Sequence, residues 1–218
     1  MMPRTGRPRE FDRDKAVQAA MELFWEHGYE PTSLSQLKAC MGGISSASFY
    51  AAFGSKEALF QEGLAKYLAT HGQVMTPLHD PSLKPRDAVE QALRRSARMQ
   101  SGQDHPLGCF VTLSTTNCSP ENRHLRTLVE QERERNRTAL ADCIQRAVDC
   151  GDLRADTDTA GLATLLNTFL LGISLEARDG TAHGKLDAAA SQLMRMWDAL
   201  AEPKCVQTDE PRRRDHRR

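Results

Sequence analysis

Two groups of residues in this chain are placed to do chemistry. The first is Ser45-Ser46-Ala47-Ser48-Phe49-Tyr50-Ala51-Ala52-Phe53. On a helix, the free N–H groups of its small, polar first turn and the hydroxyls of Ser46 and Ser48 can approach phosphates or base edges closely. Phe49 and Phe53, four residues apart, then turn into a core and leave the Tyr50 hydroxyl outward for a phosphate. Lys56, just past Gly54, and the upstream pair Thr32 and Ser33 offer further phosphate contacts. The second group is Pro106-Leu107-Gly108-Cys109-Phe110. A thiol at a helix start lies in a field that favours the thiolate, the form that reacts. Cysteine also serves as a small buried hydrophobe, so Cys109 carries both readings.

Other chemistries lack their constellations. The sequence holds no GxSxG, no HExxH, no P-loop and no GxGxxG after a strand, so an enzyme is not expected. The six cysteines form no CxxC pair, which predicts free thiols and neither disulfides nor structural zinc. A metal sensor built from His105, Cys109 or His124 is a minor alternative. No cofactor is expected.

The elements that must position these groups are helical throughout. Asp12 caps a first helix with Val17, Ala20, Met21 and Phe24 inward, closed by Gly28. A second begins near Thr32 and Ser33, buries Leu34, Leu37 and Met41, and breaks at Gly42-Gly43. A third runs from Ser45 to Gly54. Three short helices with a glycine turn between the last two are ordered as in a helix-turn-helix domain. Ser55 then caps a longer helix, and a proline-containing linker leads to another with Val89, Leu93 and Ala97. Residues 107–117 alternate like a strand at Val111, Leu113 and Thr115, but a strand would have no partner here, so a helix is expected. Ser119-Pro120 opens a long helix to Gly151. Two wide apolar helices follow, one through Leu162, Leu165, Leu166, Phe169, Leu170 and Ile173, the other through Leu186, Leu193, Met196, Trp197 and Leu200. One subunit can bury only so much of two such faces, which predicts a homodimer built on them.

The expected fold is therefore all-α. Residues 1–9 read as a flexible basic arm, 10–55 as the helix-turn-helix domain, 56–202 as a helical ligand and dimer domain, and 203–218 as a disordered basic tail. Pocket walls are expected at Met99, Phe110, Leu166, Phe169, Leu170 and Trp197. The 29 Lys and Arg among 218 residues balance 29 Asp and Glu. Between residues 10 and 60, Arg13, Lys15, Lys38 and Lys56 face Glu10, Asp12, Asp14, Glu22, Glu26, Glu30 and Glu57. Attraction to DNA must then come from local placement, and the arm's Arg4, Arg7 and Arg9 are expected in the minor groove. No apolar run approaches roughly 20 residues, and the start lacks a secretory segment, which predicts a cytoplasmic protein without a membrane partner.

The text AMELFWEHGYEPTSL, followed by ISSASFYAAFGSKEALF, resembles the N-terminal domain of the TetR family of transcriptional regulators over about the first 60 residues. The resemblance implies a two-fold homodimer with recognition helices in successive major grooves of a palindromic operator, usually as a repressor. It places Thr32 and Ser33 at the helix-start phosphate contacts, Ser46 and Ser48 at the base-facing turn, Tyr50 by the phosphate backbone and Lys56 at the start of the connecting helix. The chain departs from the family at Ser46-Ala47, where many members have a basic residue or glycine, and at Ala51-Ala52, where many have His or Tyr. Its turn Met41-Gly42-Gly43-Ile44 is also a residue long. Cys109 is placed similarly to a sensing cysteine in some TetR-type regulators of electrophile and oxidant response, with Cys118 as resolving partner. The signal is then a small ligand in the bundle or modification of Cys109. A helical protein-binding scaffold without specific DNA recognition is the rival reading.

Overall fold

The computed structural model describes residues 11–201, so the arm, with Arg4, Arg7 and Arg9, and the tail from residue 203 lie outside the described residues. Nine α-helices are described: α1 (Arg13–His27), α2 (Leu34–Cys40), α3 (Ser46–Phe53), α4 (Lys56–Ala69), α5 (Pro85–Gln100), α6 (Phe110–Leu113), α7 (Arg123–Asp149), α8 (Thr159–Arg178) and α9 (His183–Leu200). Tight 3₁₀ stretches at His71–His79 and Pro120–Asn122 lead into α5 and α7.

The starts of the short helices are fixed by side-chain caps. Asp12 accepts from Lys15 N at 3.2 Å, Ser45 from Ser48 N at 3.1 Å and Ser55 from Ala58 N at 2.9 Å. Ser33 forms a reciprocal box with Gln36. Each such cap contributes about 1 kcal/mol, which matters most for helices as short as α2 and α3. The turn between those two takes its extra residue by placing Gly42 and Gly43 consecutively at φ 83° and 77°, a conformation side-chain-bearing residues avoid.

Packing divides the chain into two cores. The first joins α1 to α4 with α6 and the start of α7, through Phe24, Trp25, Phe49, Phe60, Tyr67, Phe110, Leu125 and Val129. The second joins α5, the rest of α7, α8 and α9, through Leu93, Leu140, Ile144, Leu166, Ile173 and Trp197. The connecting helix α4 and the residues just after Cys109 therefore pack with the helix-turn-helix. Helix α8 is apolar enough by composition and length to cross a bilayer, with mean hydropathy 1.4, yet its inner face lies in the second core.

Residues 107–117 depart from the expected helix. Only the single turn of α6 forms. At Gly108, φ is 82° and a Cβ would meet Ser174 O at 2.9 Å, so the chain is pressed flat against α8 before it can wind. Cys150 is exposed, whereas Cys143 is buried.

Three polar ties close the joint between the cores. Tyr29 N donates to Ser114 O at 2.7 Å. Arg178, at the end of α8, donates to Leu107 O at 2.8 Å, to Glu26 O at 2.9 Å and to Trp25 O. Glu30 accepts from Ser119 N at 3.0 Å, Ser119 Oγ at 2.6 Å and Asn122 Nδ2 at 2.5 Å. The Ser119 hydroxyl, then Asn122 and the Ser119 amide, hold the Glu30 carboxyl down to about 2 from its ordinary 4.5. A depressed carboxyl stabilises the fold above its unfolded pKa and loses that effect as pH falls through its folded one. Glu30→Gln should therefore cost about 1–2 kcal/mol at neutral pH. In urea melts the difference from the unmodified protein should close between about pH 4.5 and pH 2; a pH-independent difference would refute this origin.

Candidate DNA interface and sensor cavity

Helix α3 presents the arrangement its sequence suggests. Phe49 and Phe53 are buried at 0% and 4% exposure, while Tyr50 stands 52% exposed with its ring edge-to-face on Phe49. Ser45 to Ser48 are all exposed, and no acid occupies the first turn. Ser48 Oγ lies 3.0 Å from Ser45 Oγ, and Ser46 Oγ accepts from Lys38 Nζ at 2.9 Å. Lys38, on α2, thus brings a positive charge to the first turn of α3. Sequence reading counted it among the bases without giving it this role; its place one position past the inward Leu37 was the available signal.

Two proposed phosphate contacts are corrected. Thr32 is fully buried and its hydroxyl donates to Gly28 O at 2.7 Å, so it braces the end of α1 and leaves Ser33, which is exposed, as the cap of α2. Lys56 is half-buried, its ammonium 4.2 Å above the Tyr29 ring. Burial lowers its pKa and the nearby Glu30 opposes that shift, so its position is set in part by the Tyr29 ring.

Cys109 lies just before α6 and makes no cap hydrogen bond with its side chain. A one-turn helix has little dipole to offer, so the expected activation by a helix start gives way to a different setting. Its sulfur sits 3.2 Å from Tyr67 Oη of α4, at the wall of a cavity of about 60 Å³. Burial, with Cys109 beside it, raises the Tyr67 pKa well above its ordinary value, so the phenol stays protonated. Arg133, Asn136, Asn167, Gln100 and Ser96 add polar groups to that wall, and Met99 and Leu170 apolar ones. A surface hollow of about 620 Å³ shares Thr112, Arg133 and Leu171 with it.

The other four expected wall residues lie elsewhere. Phe110 stacks between Phe60 and Tyr67 at 5.4 Å from each ring, Leu166 and Trp197 sit in the second core, and Phe169 packs half-buried against it. The cavity wall is mixed, with Leu68, Val74, Met75, Val111 and Leu171 beside the polar groups. Sequence reading missed Tyr67, Arg133 and Asn167. Arg133 sits in a run of charges that reads as a solvated face, whereas Asn167 inside an apolar stripe was a visible signal. Cys118 is half-buried, and burial and then Glu30 raise its pKa; both it and Cys109 are free thiols. Among the described residues no three His, Cys, Asp or Glu are grouped to hold a metal. His105 instead stacks on Trp25 at 4.8 Å, and His124 pairs with Glu57 at 2.9 Å.

A capped three-helix unit with an exposed, acid-free second reading helix, joined to a larger helical body, defines a helix-turn-helix transcriptional regulator. Residues 16–62 match the profile of bacterial regulatory proteins of the tetR family, and residues 85–193 that of the tetracyclin repressor-like C-terminal domain. The chain is 34% identical over 201 residues to the HTH-type transcriptional repressor ComR of Escherichia coli (strain K12), covering 90% of this chain and 94% of that one. It is 27% identical over 186 residues to the repressor BdcR of the same strain, covering 85% and 89%. A solved structure of the TetR family regulator CifR, a cysteine mutant complexed with 26bp double-strand operator DNA, superposes with a TM-score of 0.80 at 39% identity, over 88% of this chain and all of that one. The chain belongs to the TetR family of transcriptional regulators.

Two substitutions probe the interface without touching the core. Tyr50→Phe should weaken binding to an operator, selected from genomic fragments with the native protein, by about 1.5–3 kcal/mol, the value of a hydrogen bond to a charged group. Lys38→Ala should weaken binding evenly across sequences and reduce the slope of log affinity against log salt by about 1. Both should leave the melting temperature unchanged. Fluorescence anisotropy at several salt concentrations checks them, and unaltered affinity in either variant removes that residue from the interface.

Proposed function

We propose that a homodimer of this chain represses transcription by gripping a palindromic operator through α3, and releases it when Cys109 is modified. The observation that carries this reading is the contact between Cys109 and Tyr67, because α4 runs from Tyr67 back to the end of α3 inside one core. Atoms added at the Cys109 sulfur have little room in a cavity of about 60 Å³, compared with the roughly 150 Å³ that admits benzene, so they press on α4. The two recognition helices of a dimer must stand about 34–36 Å apart to enter successive grooves, and a swing of α4 changes that separation. Differential affinity of a few kcal/mol between the two states suffices.

The same small volume favours covalent modification over reversible binding of a large ligand. Dimerisation is assigned to the outward faces of α8 and α9, where Leu165, Leu175 and Met196 are exposed by 39%, 62% and 51%. Ser33, Ser46, Ser48, Tyr50 and Lys38 contact the operator, with Arg4, Arg7 and Arg9 of the arm in the adjacent minor groove. The free thiols among the described residues support a reducing, cytoplasmic setting.

The test is selection of genomic fragments by the purified protein, with and without iodoacetamide. One palindrome should be enriched, lost on alkylation and retained by Cys109→Ser. A palindrome insensitive to alkylation removes the thiol switch and leaves a ligand-gated repressor; no enrichment leaves a scaffold. Leu175→Glu combined with Met196→Glu should yield a folded monomer by sedimentation, with loss of operator binding, and a dimer that persists would move the interface elsewhere.

A further inference from the structure

The cavity beside Cys109 has a charge pattern of its own. Arg133 reaches it from α7 and uses one guanidinium nitrogen on Val111 O at 2.6 Å. Its nearest acid, Glu130, is held by Arg126 at 2.7 Å, so among the described residues Arg133 has no ion pair. Burial works against its charge. Across the cavity, Asn167 of α8 is 6% exposed, and among the described residues its amide has no hydrogen-bond partner. Burial disfavours the Arg133 charge, the Glu130 charge offsets this in part, and the Asn167 amide faces the cavity, so an anionic oxygen brought by a ligand would serve both groups. Guanidinium suits a carboxylate in particular, through paired N–H donors on a planar group.

Resting on the assignment of Cys109 as the reactive thiol, we infer that this cavity selects small anionic electrophiles: Arg133 and Asn167 hold a carboxylate while Cys109 attacks a carbon one or two bonds away. The cavity volume of about 60 Å³ is roughly that of two waters, which limits the occupant to a handful of non-hydrogen atoms. Tyr67 Oη, at 3.2 Å from the sulfur, holds the thiol on the cavity side. Arg133 acts as a specificity residue, raising the local concentration of anions, and does not take part in the bond change.

Iodoacetate and iodoacetamide test this, since they share a reacting carbon and differ in charge. In either case the sulfur attacks the methylene carbon, the S–C bond forms as the C–I bond breaks, iodide leaves with the bonding pair, and the thiol proton passes to water. The exposed Cys40 and Cys150 of the same full-length protein are internal controls. Rates at each cysteine are read by peptide mass spectrometry. The iodoacetate-to-iodoacetamide ratio at Cys109 should exceed that at the controls by roughly tenfold, as expected for one charge a few ångströms away in a half-buried site. Arg133→Gln should bring the ratio down to the control value, because any change in thiolate fraction affects both reagents alike, and Arg133→Lys should keep most of it. A native ratio no higher than the controls overturns the inference. So does a high ratio that survives Arg133→Gln, or a fall in Arg133→Gln matched by an equal fall in Arg133→Lys, which would make the residue a brace for Val111. Operator binding separates this from the switch. Full carboxymethylation of Cys109 that leaves the operator bound overturns the switch alone, whereas release by iodoacetamide without any charge preference overturns the anion selectivity alone.

Discussion

The rest of the structure depends on one chain of aromatic contacts. It runs from Phe24 to Phe60 at 5.3 Å, on to Phe110 and Tyr67 at 5.4 Å each, and to Trp25 at 4.9 Å. These rings come from α1, α4 and α6, and all are buried. Each contact adds about 0.5–1.5 kcal/mol beyond the area it buries, and its geometry tolerates little rotation. The turn that follows Cys109 is therefore part of the solid body that carries α3. Displacement of Phe110 cannot be absorbed by slack, because a close-packed interior passes strain on.

Arg178 sets the direction in which that strain can go. Its guanidinium ties the last turn of α8 to the last carbonyls of α1 and to Leu107, just before Cys109. A cation at the C-terminal end of α1 is electrostatically favourable, and it satisfies carbonyls the helix leaves open. The fork also gives the outer helices a rigid hold on the DNA-reading body at a point beside the thiol. The ties at Glu30 with Ser119 and at Tyr29 with Ser114 lie on the far side of the same joint and keep α7 in step.

Much of this was legible in the sequence, and where it was not, the reason is physical. The capped starts at Asp12, Ser33, Ser45 and Ser55 are local chemistry between residues three apart, so the helix-turn-helix could be read directly. Period alone also places Phe49 and Phe53 inward. The region from Leu107 to Asn117 was misjudged because its shape is decided by contact with α8 at Ser174, 66 residues beyond Gly108 in the chain. The cavity walls failed for a related reason. Apolar periodicity identifies which residues are buried, but a hole is defined by what does not fit, here the meeting of Tyr67, Arg133 and Asn167 from three separate helices. Thr32 shows the limit of cap chemistry itself, since two adjacent hydroxyl residues both qualify and only tertiary packing decides that Ser33 caps while Thr32 turns inward.

Charge on the DNA-reading body leads to a further constraint. Arg13 is paired with Glu62 at 2.7 Å, Lys15 with Asp12 at 2.9 Å and Lys66 with Asp14 at 2.7 Å, and Lys56 is spent on Tyr29. Of the bases from Arg13 to Lys66, that leaves Lys38 beside the first turn of α3. Counter-ion release scales with the number of phosphates neutralised, so such a surface gains little affinity for bulk DNA. Weak non-specific binding has a benefit for a regulator, because the ratio of specific to non-specific affinity decides occupancy in a genome of competing sites. The groups left exposed around α3 are hydroxyls and backbone N–H groups on short capped helices, and such groups act only at hydrogen-bond distance and in good alignment. A grip built this way is more sensitive to a small tilt of α3 than one built on long-range charge.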